Sequence, residues 1–188
     1  MLTILIGKSG SGKDVVQTAL VNNYGFERIV TTTTRPMREG EKDGVDYHFI
    51  SREAFLNGIK CNDYIEYRSY NTLVNGVSDV WYYGSSKTLI HRDKNYVIIL
   101  DAQEAEAFLS YYGKSNCFVV EIHVDDEVRK ERAIKRGSFD ETEWERRRVD
   151  DAIKFAPEKL INIVDYSLDN TEISIETAVK SVVAAINS

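Results

Sequence analysis

A glycine-rich stretch near the N-terminus has the spacing of a phosphate-binding loop, GxxxxGK, from Gly7 to Lys13. In such a loop, glycines let successive main-chain N–H groups face an anion, and the lysine reaches the outer phosphates of a nucleotide. An apolar run precedes the loop and a segment with helical spacing follows it, which is the context that the motif requires. The stretch therefore predicts nucleotide binding rather than a simple turn. The residues assigned to the donor nucleotide are Gly7, Ser9, Gly10, Ser11, Gly12, Lys13 and Asp14.

Asp14 stands where the motif usually has a serine or threonine hydroxyl that binds Mg²⁺. A carboxylate is a hard oxygen ligand, so Asp14 is a candidate to hold Mg²⁺ directly or through water. It also brings a negative charge close to phosphate oxygens. The alternative interpretation is that Asp14 marks impaired catalysis.

Further motifs follow the phosphate loop in order over nearly the whole chain. The first is TTRPMREGEKDGVDYHF over residues 33–49, in which Arg35 and Arg38 are followed by Gly-Glu, a glycine and Tyr-x-Phe. The later residues of the set are Ile65, Glu66, Tyr82, Tyr83, Gly84, Ser85, Asp101, Gln103, Arg132, Arg136, Arg148 and the segment 165–170. Taken together, these motifs strongly resemble the guanylate kinase family.

The resemblance implies an α/β fold of the P-loop NTPase type, with three α/β/α layers and a parallel sheet core. It also implies a small inserted mixed β subdomain that binds the nucleoside monophosphate, and a helical lid. We expect one guanylate-kinase-like domain over 1–188, with its core at 1–32, 94–130 and 156–188, the insertion at 33–93 and the lid at 131–155. The implied reaction is phosphorylation of GMP, or dGMP, to GDP with ATP and Mg²⁺.

The same resemblance assigns an acceptor site, and the chemistry of the side chains supports it. The guanidinium groups of Arg35 and Arg38 suit a monophosphate, and Tyr47 and Tyr83 supply hydroxyl donors to it. Glu66 can accept both donors on the guanine edge, whereas adenine presents an acceptor and a donor there. The remaining residues assigned to the acceptor are Thr31, Ser85 and Asp101, of which Asp101 is assigned either to the acceptor or to the metal.

Arginines of the implied lid are candidates to neutralise the transferring phosphoryl group. Arg132 and Arg136 are spaced i, i+4 and therefore project from one helical face. The third lid arginine is Arg148 or its neighbour Arg147, and the valine that follows favours Arg148. Asn170 matches the family's adenine-contacting asparagine.

Two alternatives stay open. One is a module with this fold that binds nucleotide or protein without turnover, and Asp14 is its best support. The other is a nucleoside monophosphate kinase with a different acceptor, since extra residues lie between Glu66 and Tyr83 and Glu104 replaces the glycine usual after Asp-x-Gln.

Apolar patterning predicts the elements that must position these residues. Strand-like runs at Leu2–Ile6, 29–30, 96–100 and 118–124 alternate with helical segments, which indicates a parallel sheet with crossover helices. The pattern over residues 33–85 predicts short strands and turns. Ser138 and Glu141 have capping-box spacing, and a short strand at 161–166 precedes a last helix with an apolar face.

Composition limits the classes of partner. The 188 residues include 24 Lys plus Arg against 30 Asp plus Glu, a net charge of −6 that argues against a large nucleic-acid footprint. No apolar run reaches the length of about 18 residues that a membrane span needs. Cys61 and Cys117 are far apart and the N-terminus is not of secretory type. We therefore expect a cytoplasmic monomer or homodimer whose partners are small nucleotides.

Overall fold

The computed structural model describes residues 1–74, 77–87, 91, 93–135, 137 and 139–188. Its strands are, in chain order, β1 Leu2–Ile6, β2 Glu27–Arg28, β3 Thr32–Thr33, β4 His48–Phe49, β5 Tyr64–Val74, β6 Val77–Ser86, β7 Tyr96–Ile99, β8 Cys117–His123 and β9 Tyr166–Asp169. Its α-helices are α1 Lys13–Tyr24, α2 Arg52–Lys60, α3 Ala102–Tyr112, α4 Asp126–Lys135, α5 Glu141–Lys154, α6 Pro157–Leu160 and α7 Ile175–Ile186.

The chain folds into two compact units. The first unit comprises Met1–Arg28 and Ile90–Ser188, and the second comprises Ile29–Leu89. The candidate donor loop lies in the first unit, whereas most candidate acceptor residues lie in the second. Each unit is therefore described by itself.

The first unit is built on a sheet with the strand order β2-β7-β1-β8-β9, in which every neighbouring pair is parallel. All five side chains of β1 are buried, as expected for a central strand that is covered on both faces. The predicted parallel sheet core is thus confirmed, and β1 delivers the phosphate loop at its carboxyl end.

Helices α1 and α7 pack against each other and against one face of this sheet. Leu20 of α1 and Val182 of α7 are fully buried in the same core as Val120 of β8. Helix α3 contacts β1 and β8, with Phe108 fully buried. Hydrophobic burial of one face of each helix therefore fixes the helices that flank the loop.

The second unit holds a mixed sheet in the order β4-β3-β6-β5. Strands β5 and β6 form a long antiparallel hairpin, and β3 pairs antiparallel with β6 and parallel with β4. Helix α2 packs Phe55 against Gly84 of β6, where an added Cβ would lie 2.9 Å from Phe55 Cζ. A larger residue than glycine would therefore displace the ring.

Three local predictions were wrong. The 33–85 segment contains α2, because the Ser51 hydroxyl accepts the Ala54 N–H and Phe55 supplies a buried anchor. The segment at 161–166 begins as a turn after α6, and β9 starts only at Tyr166. The strand expected at 29–30 is displaced to Glu27–Arg28, where it pairs with β7.

The start of α5 also differs from the expected capping box. Ser138, the predicted cap, lies outside the described residues. The Asp140 carboxylate caps the helix by accepting the Glu143 N–H at 2.7 Å. Of the helices that are described, none combines the length and the apolar character needed to cross a membrane.

Candidate functional site

The phosphate loop begins at Gly7, directly after β1. Gly7 has φ +146°, and a Cβ there would lie 2.4 Å from the main-chain oxygen of Ile122. Only glycine therefore lets the loop leave the sheet so close to β8. The loop ends at Gly12, where the Val15 and Val16 N–H groups donate to the Gly12 carbonyl oxygen and start α1.

The Lys13 side chain folds back onto the loop that precedes it. Its Nζ donates to the carbonyl oxygens of Gly7 at 2.7 Å and Lys8 at 2.9 Å, and to Ser11 Oγ at 3.4 Å. Burial lowers the pKa of Lys13 to about 8, although the negative charges of Asp14 and Asp151 act in the opposite direction and raise this pKa. Among the residues that the structure describes, the ammonium group donates hydrogen bonds only to neutral oxygens, an arrangement that favours an incoming anion.

Two side chains that the sequence analysis did not single out hold the loop at Ser9. Asp151 Oδ2 of α5 accepts the Ser9 N–H at 2.9 Å, and Arg129 Nη1 of α4 donates to the Ser9 carbonyl oxygen at 2.7 Å. The two side chains also pair with each other at 2.8 Å. No local signal in a highly charged helix distinguishes Arg129 from its neighbours, because its burial depends on contacts 120 residues away.

Arg132 and Asn170 border the other side of the loop. The Asn170 amide donates to the Ser11 carbonyl oxygen at 2.9 Å, and Arg132 Nη2 donates to the Asn170 carbonyl oxygen at 2.8 Å. Both residues line a cavity of about 240 Å³ that also touches Gly12 and Val15. The structure therefore brings these two candidates together beside the loop.

The other lid arginines are placed differently. Arg136 lies outside the described residues. Arg148 is on the surface, where its Nε donates to Glu145 at 2.9 Å. Arg147, the alternative, pairs with Glu143 and lines a cavity of about 190 Å³ that borders Ser9 and Gly10. The structure thus places Arg147, and not Arg148, next to the loop.

Asp14 is exposed in the first turn of α1. In the part of the chain that the structure describes, no three His, Cys, Asp or Glu residues converge on a possible metal position. A single carboxylate beside a phosphate loop suits Mg²⁺, which keeps several waters and takes its other ligands from phosphates. The residues present therefore fit a magnesium ion that arrives with a nucleotide.

Arg35 dominates the candidate acceptor site of the second unit. Its side chain is 3% exposed and forms a two-pronged ion pair with Glu41, at 3.0 and 2.8 Å. The hydrogen bond to Glu41 raises the pKa of Arg35. The same bond, with the Arg38 N–H at 2.7 Å, lowers the pKa of Glu41 to about 2. Glu41 thus engages Arg35 with the geometry that a phosphate also uses.

Aromatic rings surround the Arg35 guanidinium. Its Cζ lies 5.5 Å from the ring centre of Tyr47 and 5.6 Å from that of Phe49. The Tyr47 and Tyr83 rings meet edge to face at 6.1 Å. The structure therefore brings Arg35, Tyr47 and Tyr83 together, while Arg38 is exposed and contributes its main-chain N–H to Glu41.

Glu66 and Ser85 face each other across the hairpin. They are register partners on β5 and β6, and the Ser85 hydroxyl donates to Glu66 Oε1 at 2.6 Å. Tyr83 and Ser85 are two residues apart on β6, so they project from the same face of the sheet. Thr31 precedes β3, and its carbonyl oxygen accepts the His48 N–H at 2.8 Å.

Asp101 belongs to the first unit and caps a helix. Its carboxylate accepts the Glu104 N–H while the Glu104 side chain accepts the Asp101 N–H, which makes a complete capping box for α3. Lys154 Nζ lies 3.6 Å from Asp101 Oδ2. Glu104, which stands where the family usually has a glycine, therefore serves as the capping partner of Asp101.

Comparisons with known proteins show which family this chain resembles. The family model described as "Guanylate kinase" matches residues 1–188. A guanylate kinase of Clostridium tetani is 34% identical over 73% of the chain, and the chain spans 64% of that protein. "Guanylate kinase 2, chloroplastic/mitochondrial" of Oryza sativa is 34% identical over the whole chain, which again spans 64% of the relative.

Solved structures agree at the level of the fold. A guanylate kinase from Anaplasma phagocytophilum aligns with a TM-score of 0.65 and 22% identity, covering 100% of this chain and 84% of the other. A gluconokinase from Sinorhizobium meliloti aligns with a TM-score of 0.55 and 16% identity, covering 98% and 90%. Because the family model matches from the first residue to the last, the chain belongs to the guanylate kinase family.

Proposed function

We propose that this chain transfers the terminal phosphoryl group of ATP to GMP, giving ADP and GDP, in the cytoplasm. The observation that carries the acceptor's identity is the 2.6 Å hydrogen bond from Ser85 to Glu66. This bond restrains the Glu66 carboxylate on the sheet that also carries Tyr83. One surface of the sheet can therefore bind both the base and the phosphate of a single nucleotide.

The carboxylate of Glu66 selects the base by its hydrogen-bonding pattern. Guanine offers N1–H and an exocyclic amine on one edge, and a carboxylate accepts both. Adenine would place a lone pair against the carboxylate, and two acceptors that face each other form no hydrogen bond. Ser85 contributes by holding one carboxylate oxygen, and we assign Thr31 to the rim of the same base.

The acceptor phosphate is assigned to Arg35, Arg38, Tyr47 and Tyr83. Arg35 is preorganised for it, because Glu41 and the Pro36 carbonyl oxygen already hold the guanidinium in one orientation. A buried, oriented cation stabilises an anion with little rearrangement. The hydroxyls of the two tyrosines supply further donors.

The donor phosphates are assigned to the loop from Gly7 to Lys13, with Lys13 giving its charge to the outer phosphates. The cavity that Asn170 and Arg132 line is the proposed place of the adenine. Mg²⁺, when bound, supplies charge neutralisation between the phosphates, and Asp14 is the residue that would hold it. Arg132, Arg136 and Arg147 or Arg148 would add positive charge during transfer.

A coupled assay of ADP release tests the proposal, with GMP, dGMP, AMP, UMP and CMP as acceptors and with or without Mg²⁺. We expect turnover only with the guanine nucleotides and only with Mg²⁺. Saturable GMP binding without turnover would indicate a binding module instead. Turnover with a non-guanine acceptor would move the specificity away from Glu66.

The role of Asp14 has its own test in the same assay. Asp14→Ala should lose Mg²⁺-dependent turnover, and Asp14→Ser should restore it, because serine supplies the hydroxyl that the motif usually has. An unchanged dependence on Mg²⁺ in Asp14→Ala would exclude the assignment.

A further inference from the structure

Ser9 is held through both of its main-chain hydrogen-bonding groups by two buried side chains. The Ser9 N–H donates to Asp151 Oδ2 at 2.9 Å, and the Ser9 carbonyl oxygen accepts from Arg129 Nη1 at 2.7 Å. The Ser9 hydroxyl lies 3.3 Å from the second oxygen of Asp151. The turn that opens the phosphate loop is therefore restrained from outside the loop.

The two side chains form a buried network rather than a surface ion pair. The side chains of Arg129 and Asp151 are 1% and 8% exposed. Arg129 also donates to Asp126 at 2.8 Å, and its guanidinium lies 5.2 Å from the ring centre of Trp144. Burying a charged pair costs desolvation, so apolar residues of similar size often stabilise a fold as well or better. The network therefore calls for a role other than stability.

The place where the network contacts the phosphate loop suggests that role. Arg129 belongs to α4 and Asp151 to α5, and both reach the residue next to Gly10. Downstream of Ser9, the first N–H groups of α1 have no intrahelical acceptor, as at every helix start, and are the donors for a phosphate. Holding Ser9 in place therefore also holds the segment of the loop that leads to these N–H donors.

We propose that Arg129 and Asp151 are positioning residues for the donor phosphates, which hold the phosphate loop in its binding shape before the nucleotide arrives. This inference rests on the proposed use of the loop for ATP. It also makes α5 a fixed support of the loop at Asp151, although the sequence analysis assigned that residue to a lid.

The test removes the pair without leaving a buried charge alone. In the double variant Arg129→Met with Asp151→Ala we expect the KM for ATP and the dissociation constant of ATP to rise about tenfold to a hundredfold, the scale of one or two lost hydrogen bonds. The KM for GMP should change by less than about twofold, because most of the candidate acceptor residues lie in the other unit. A merely structural role would not separate the two substrates.

The chain offers a matched control. Lys130 and Glu141 also join α4 to α5, by an ion pair of 2.6 Å, but their side chains are 38% and 59% exposed. Lys130→Met with Glu141→Ala should leave ATP binding unchanged. Equal ATP affinity in the two double variants, or an equal loss for ATP and GMP, overturns the proposal.

A second variant covers the case in which the double variant does not fold. Asp151→Asn keeps an oxygen acceptor of the same shape, while Asp126 still pairs with Arg129. We expect ATP binding to weaken several-fold, because a neutral amide oxygen accepts the Ser9 and Arg129 N–H groups less strongly than a carboxylate does, and unchanged binding overturns the proposal. ATP binding is measured by calorimetry without an acceptor, so a chain that binds ATP and does not phosphorylate GMP contradicts the proposed function but not this inference. A wild-type chain that does not bind ATP overturns both the proposed function and this inference.

Discussion

At the scale of single residues, Glu66 illustrates how a neighbouring hydroxyl can restrain a carboxylate. Ser85 holds one of its oxygens at 2.6 Å. A carboxylate whose orientation is fixed by a neighbour discriminates between bases better than a freely rotating one. The identity of the acceptor should therefore depend on the charge and the acceptor pattern of this side chain.

We predict that Glu66→Gln weakens the preference for GMP over AMP by about 1–3 kcal/mol, because the glutamine amide presents donors where guanine also has donors. The measurement is the ratio of kcat/KM for the two acceptors. Glu106→Gln, at an exposed position of α3, is the matched control and should keep the wild-type ratio. An unchanged ratio in Glu66→Gln would remove Glu66 from base selection.

The lowered pKa of Lys13 predicts that donor binding depends on pH. Burial lowers its pKa from 10.5 to about 8, so the unfolded chain binds this proton more tightly than the folded chain. The resulting penalty to stability is complete below about pH 8 and is relieved as the pH rises toward 10.5. Phosphate oxygens beside the ammonium group would raise the pKa again.

We therefore predict that ATP binding at about pH 8 takes up protons at Lys13. Calorimetry in two buffers with different ionisation enthalpies measures this uptake. Lys13→Arg is the control, because a guanidinium stays protonated throughout this range. The same uptake in wild type and in Lys13→Arg would place the proton on another group.

At the scale of elements, α7 shows how a helix that flanks the loop depends on a local cap. The Ser174 hydroxyl accepts the Thr177 N–H at 3.1 Å, and the helix then buries Ala178, Val179 and Val182 in the core of the first unit. Packing holds the helix in place, and the cap satisfies its first free N–H groups.

We predict that Ser174→Ala lowers the free energy of unfolding by about 1 kcal/mol, through loss of the cap. Ser181→Ala, inside the same helix, is the matched substitution and should be neutral or slightly stabilising, since alanine is the better helix former. Urea denaturation of the three proteins measures both effects. An equal loss in both variants would contradict the capping role.

At the scale of the whole molecule, the division into two units separates the candidate donor residues from most of the acceptor residues. Ligands that bind one unit should stabilise that unit first, because binding to the native state slows local opening at the bound surface. ATP and GMP should then each slow amide hydrogen exchange in a different set of residues.

We predict that GMP alone slows amide hydrogen exchange mainly within Ile29–Leu89, whereas ATP alone slows it in the loop at Gly7–Lys13 and in α5. Mass spectrometry of peptides from each unit measures the difference. CMP is the control for GMP and should give weaker protection. Protection by GMP confined to the first unit would contradict the assignment of the acceptor site.

The sequence by itself determined the phosphate loop, the alternating parallel core and the ordered motifs of the guanylate kinase family. These features depend on local patterns, namely glycine spacing, apolar runs and helical periodicity, which are read within a few residues. It also predicted that Glu66 and Ser85 serve one purpose, and the structure joins them by a hydrogen bond.

Only the tertiary structure decided which charged residues lie beside the phosphate loop. Arg129 and Asp151 resemble many other charged residues of α4 and α5 in sequence, and they differ from most of them in being buried against Ser9. Likewise, the choice between Arg147 and Arg148 depends on which side of α5 faces the loop. Burial and long-range pairing depend on how separate segments pack together, so no window of the sequence contains them.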